Sequence, residues 1–154
     1  MHISCRADSR HVLFALILTT RFLLGVFLAS LAGGVSHILA QVILLSFFFP
    51  VGSNVVLVSS ILGGGIGGSV GGFLAWSSPG GSKWENLTTL ALALAGGFAG
   101  AGIGVWHGTH VYHLAGLPGI PELAGLIYGA VIGANLLPLA YFLFRRLRSG
   151  RFEG

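Results

Sequence analysis

The chain has 154 residues, of which 54% are hydrophobic and 8% charged, with 26 glycines and a formal net charge of +4; its mean hydropathy is +0.89. Soluble domains carry roughly 25% charged residues, so this composition excludes an ordinary soluble domain and predicts an all-α, polytopic membrane protein. A hydrocarbon core about 30 Å thick takes ~20 apolar residues per helix. Four spans and their connections therefore occupy residues 1–154 as a single transmembrane domain, without room for a soluble catalytic one.

The basic residues do not form a nucleic-acid footprint, because Arg6, Arg10 and Arg21 lie near one terminus and Arg145, Arg146, Arg148 and Arg151 near the other. They flank apolar segments, as topology signals do. Cys5 is the single cysteine, which excludes an intrachain disulfide and a thiolate metal cluster.

In chain order, Val12 to Phe49 comes first. It is too long for one span and barely long enough for two. Centred in a span, Arg21 would cost roughly 2.5–3.5 kcal/mol, whereas at a helix start it snorkels to the headgroups. The reading is thus a short N-terminal interfacial helix over 9–20, then a long first span over 21–49. Basic residues, the apolar run Phe22 to Leu28 and the small pair Ser30 and Ala32 also resemble a signal peptide. Continuation of the apolar run to Phe49 favours a retained helix.

Pro50 to Asn54 reads as a turn, 55–76 as the second span and Ser77 to Glu85 as a loop. The third span is placed at 87–106, a longer link at 107–121, the fourth span at 122–144, and a basic tail at 145–154. With arginines at both termini on one side, the spans are even in number and Lys83 joins the same side. The expected location is the cell membrane, with both termini cytoplasmic. Trp76, Trp84, Trp106, Tyr112 and Tyr141 fall near predicted helix ends, where amphipathic rings settle. The glycosylation pattern Asn86-Leu-Thr88 is discounted because this topology keeps it inside.

Small residues recur every fourth position in each span. They are Gly25, Ala29 and Gly33 in the first; Gly63, Gly67 and Gly71, beside Gly64, Gly68 and Gly72, in the second; Gly96, Gly100 and Gly104 in the third; and Gly125, Gly129 and Gly133 in the fourth. Four residues is close to one helical turn, so each series is a stripe that predicts glycine-zipper packing of a four-helix bundle. The doubled stripe of the second span predicts a central position. A phosphate-loop reading of Gly63 to Gly68 fails for want of a lysine and a preceding strand. The resemblance of 64–68 to 96–100 hints at a duplicated helix pair, although glycine-rich composition also explains it.

Polar residues inside a bilayer need an account. His37 and Gln41 lie one turn apart on the first span. His107, His110 and His113 cover about 120° of a helix, so pairs share a face and three converge only if the helix unwinds. With His37 and Glu122 they form the candidate site for a transition metal or haem. The competing reading is a polar outer rim, with Glu122 at a helix N-terminus. Asn135 and Pro138 make a second polar spot, where proline frees a carbonyl and asparagine can bond to it or to another helix.

Three functions stay open at this point. One is a structural or accessory multi-pass protein that associates with itself or a larger membrane complex; the others are an extracytoplasmic histidine-rich metal or haem site, and a small transporter or channel. Lipid is the one partner the composition itself requires. No nucleophile, base and orienting group assemble into a catalytic set.

Overall fold

A computed structural model describes residues 4–47, 53–111 and 120–148. They form four helices: α1 (Ser4–Phe47), α2 (Ser53–Trp76), α3 (Lys83–Val111) and α4 (Ile120–Arg148). All four are long and apolar enough to cross a membrane, over Val12–Leu44, Leu57–Trp76, Lys83–His110 and Ala124–Arg148.

The first helix differs from the sequence expectation. Residues 9–20 and 21–47 both belong to α1, an unbroken helix of 44 residues from Ser4 to Phe47, with no break between lead-in and span. The sequence explains it: no proline or glycine occurs from Ser4 to Leu24, so nothing interrupts the backbone hydrogen bonds. At 1.5 Å per residue α1 is about 66 Å long, roughly twice the thickness of a hydrocarbon core.

The connection from α2 to α3 is short and closed by its own polar groups. Ser82 caps α3, its Oγ accepting from the backbone N–H of Glu85 at 3.2 Å; an oxygen at this position satisfies a donor that the helix cannot. Asn86 holds the link to the helix in both directions. Its Oδ1 accepts from the Ser78 N–H and its Nδ2 donates to the Ser78 carbonyl, each at 3.1 Å.

In cross-section the bundle is a rhombus. α2 and α4 lie on the short diagonal and each touches the other three helices, while α1 and α3 occupy the far corners. Burial follows this arrangement, with 56% of the apolar window of α2 enclosed against 11% for α1. The outer face of α1, with Leu16, Leu23, Phe27, Leu31 and Ile38, is left open.

Glycines of α2 divide among its neighbours. A Cβ on Gly63, Gly67 or Gly71 would collide with α1 at His37, Ala32 and Ala29 respectively. One on Gly64, Gly68 or Gly72 would press on Leu126, Ala130 or Ala134 of α4, and one on Gly65 on Phe98 of α3. Between α3 and α4 the relation is reciprocal. Gly96 faces Gly133, Gly100 faces Gly129 and Gly104 faces Gly125, and a Cβ on any of the six would overlap the carbonyl oxygen of its partner. The hydrogen that such a Cβ would replace points at that oxygen, which is the geometry of a weak Cα–H···O bond worth about 0.5–1 kcal/mol.

Two serines bridge helices where carbonyls are close. Ser36 Oγ lies 2.7 Å from the Ala32 carbonyl and 2.5 Å from that of Gly63 across on α2. Fully buried Ser69 lies 2.5 Å from the Gly65 carbonyl and 3.0 Å from that of Ala93 on α3. Each hydroxyl shares one proton between its own helix and the next, which satisfies it without water.

Gly96→Ala forces a methyl into the Gly133 carbonyl, so thermal unfolding in mild detergent, followed by circular dichroism, should show a loss of about 1–3 kcal/mol. Gly102 has nothing within 4 Å of the same added atom. Gly102→Ala should be neutral or gain up to about 1 kcal/mol from helix propensity; equal losses at both positions would contradict the packing described.

Candidate functional site

His110, near the end of α3, is engaged within its own helix. His110 stacks on Trp106 with ring centroids 4.8 Å apart. Its Nδ1 lies 2.8 Å from the Trp106 carbonyl and 3.0 Å from Thr109 Oγ1, so that nitrogen is occupied within its own helical turn. His107 is exposed on the same helix. His113 lies outside the described residues, as does the side chain of Glu122. Among the described residues no three His, Cys, Asp or Glu side chains come together as metal ligands.

His37 belongs to another neighbourhood. It packs against Gly63 of α2, and since α1 and α3 occupy far corners it shares no packed face with His107 or His110. Its Nδ1 is buried without a hydrogen-bond partner among the described residues. One turn on, Gln41 Nε2 donates to Ser60 Oγ at 3.5 Å, a long and weak contact.

Asn135 is completely buried. Its Nδ2 donates to the Val131 carbonyl one turn back at 2.8 Å, and its Oδ1 accepts from Trp76 Nε1 at 3.0 Å. Gly25 of α1 lies against the same Oδ1, where a side chain would overlap it. Three helices therefore meet at one amide. Trp76 accordingly departs from the interfacial role expected of it: it is 4% exposed, whereas Trp84 and Trp106 at the two ends of α3 are 77% and 61% exposed. Pro138, also buried, lies one turn beyond Asn135 within a continuous α4.

Beyond this anchor the bundle opens into a cleft of about 340 Å³ at its basic end. α1 contributes Phe14, Ile17 and Arg21; α2 ends on its wall at Trp76; α3 contributes Glu85, Asn86 and Thr89; α4 contributes Tyr141, Phe142, Arg145 and Arg146. A second, more open hollow of about 570 Å³ shares Ser78, Glu85, Phe142, Arg145 and Arg146 and extends along Gly80 and Gly81.

Compared with known protein families, characterised proteins and solved structures, the chain gives no significant match.

Charge in the cleft is unequal. Arg145 donates to Glu85 Oε1 at 2.5 Å, a pair left partly exposed, so solvent screens it and its role is to join α3 to α4 at this end. The Arg146 guanidinium sits over the Phe14 ring at 3.8 Å and that of Arg21 at 5.8 Å from the Phe142 centroid, both within cation–π range. Among the described lining residues three arginines face one carboxylate. Arg21 makes no ion pair among the described residues.

In the sequence these arginines stand apart, as topology signals at two chain ends. The available clue was the antiparallel order of α1 and α4, which brings the start of one beside the end of the other. Arg21 and Arg145 are 124 positions apart, and only packing makes them neighbours.

Asn135→Leu strands the buried Trp76 N–H and should lower stability by about 1–2 kcal/mol in a detergent unfolding titration. Adding Trp76→Phe removes the stranded donor and should return part of that loss. A double variant as unstable as the two single losses combined would show that the bond does not couple α2 to α4.

Proposed function

We propose that this is a multi-pass integral membrane protein of structural or accessory type, a glycine-zipper bundle with both termini cytoplasmic that associates with itself or within a larger membrane complex. The observation that carries this reading is the backbone-to-backbone fit of α3 on α4, where a methyl group has no space. A solute has none either along that seam, so the bundle is better suited to holding shape than to conducting. In lipid no hydrophobic force draws helices together, and close packing of small residues supplies the association instead.

The same chemistry supports a contact with another chain. On the outer side of α3, Ala91, Ala95 and Ala99 are exposed at four-residue spacing, and Gly102 beside them meets nothing within 4 Å. This face would let a second helix approach as closely as α4 does on the other side.

Orientation follows from charge. Arg21, the link at Ser78 and the Arg145–Arg146 pair meet at one end of the bundle, and concentrated Lys and Arg mark the cytoplasmic side.

Two measurements test this reading. Mass photometry or native mass spectrometry of the chain in mild detergent should find dimers or a copurifying membrane partner, and Ala95→Leu should shift the population toward monomer. A strictly monomeric, partner-free particle contradicts the association. For topology, Gly80→Cys in a Cys5→Ser background should react with a membrane-impermeant maleimide in inside-out vesicles but not in intact cells; labelling of intact cells would reverse the orientation.

A further inference from the structure

Arg21 is a cation in the cleft wall without an ion pair among the described residues. It lies nine residues inside the apolar stretch Val12–Leu44, or about 13 Å along the helix from its start. A guanidinium so placed is costly in lipid unless it reaches headgroups or meets an anion. It is half-buried in the cleft wall, and the sole carboxylate among the described lining residues, Glu85, is taken by Arg145. The cation–π approach to Phe142 is long, at 5.8 Å, and leaves the guanidinium donors without an acceptor among the described residues.

The cleft around it has two chemical halves. On the α1 wall before Arg21 stand Phe14, which is half-buried, and Ile17, which is 48% exposed; past Arg21, toward the middle of the span, α1 exposes Leu24 and Leu31 at 48% and 55%. Toward the α2–α3 link the hollow continues past Gly80 and Gly81 into open space. An occupant must therefore be negative in the middle, apolar at one end and hydrated at the other. A volume of about 340 Å³ is enough for a phosphodiester with its glycerol, but not for whole acyl chains, which would leave past Arg21 along the exposed Leu24 and Leu31 of α1.

We propose that this cleft binds the phosphate of an anionic phospholipid, held by Arg21 from α1 and the basic end of α4, with its acyl chains running down the exposed face of α1. Guanidinium groups suit the task because their forked donors match phosphate oxygens. Basic recesses between transmembrane helices on the cytoplasmic side meet the headgroups of anionic lipids. A bound lipid would also cover part of α1, which the chain itself leaves largely open. The inference rests on the four-span reading with its basic end at the headgroups.

The test is native mass spectrometry of the full chain in detergent, titrated separately with phosphatidylglycerol, phosphatidylcholine and inorganic phosphate. One phosphatidylglycerol should be retained in preference to phosphatidylcholine, and Arg21→Gln should reduce that preference about fivefold, as removing one arginine near a headgroup implies. Arg148→Gln, an exposed arginine outside the cleft, should leave it unchanged. Should Arg21→Gln fail to fold by circular dichroism, Arg146→Gln reads the same preference from the other wall. Equal retention of both lipids, an equal loss with Arg148→Gln, or displacement of the lipid by equimolar inorganic phosphate would overturn the proposal. The membrane reading fails separately, through release of the chain from membranes by alkaline carbonate.

Discussion

Between α3 and α4 the backbones approach so closely that the six facing glycines each leave their partner's carbonyl oxygen where a side chain would begin. Helices in lipid gain nothing from hiding apolar surface, because the surroundings are equally apolar. What they gain is dispersion at short range and weak Cα–H···O bonds repeated along the seam. Both need the missing Cβ. A leucine-lined seam would hold the same two helices several ångströms further apart and forfeit those bonds.

Once α3 and α4 are paired, the remaining positions follow. α2 lies in the groove they form, its two glycine lines set one residue apart so that one meets α1 and the other α4. Polar groups then act locally. Ser69 joins α2 to α3, Ser36 joins α1 to α2, and the Asn135 amide with the Trp76 indole ties α2 to α4 beneath the basic end. Above that last bond the helices diverge and the arginine-lined cleft begins. The site is thus a product of packing: a bonded floor at Asn135, with walls from four helices and their link.

Much of the architecture was legible because its signals are periodic. Apolar length gave four helices long enough to cross a membrane, and the glycines of α3 that lie against α4 fall at the four-residue spacing visible in the sequence. The first helix runs without a break through residues 9–20: the cost of Arg21 in lipid argues for a boundary there that the helical backbone, free of proline and glycine from Ser4 to Leu24, does not need. Trp76 was misread for a related reason. Near a helix end an indole is usually interfacial, but here Asn135, 59 residues away, offers it a buried acceptor. The histidine stretch is conspicuous because it is contiguous in sequence; within it, His110 turns its Nδ1 back to the Trp106 carbonyl. The cleft was the reverse case: its arginines are distant in sequence and ordinary in context, and no local pattern announces that α1 and α4 bring them together.

The central claim is that α3 and α4 are held by direct glycine-to-glycine contact, and a double-mutant cycle on Gly100→Ala and Gly129→Ala tests it most directly by unfolding in detergent. Each added methyl strikes the other residue's carbonyl, so once one has forced the helices apart the second should cost less. The account predicts a double variant more stable than the sum of the single losses by about 0.5–3 kcal/mol, the range for residues in contact. Losses that add within about 0.5 kcal/mol, as for independent sites, would contradict it.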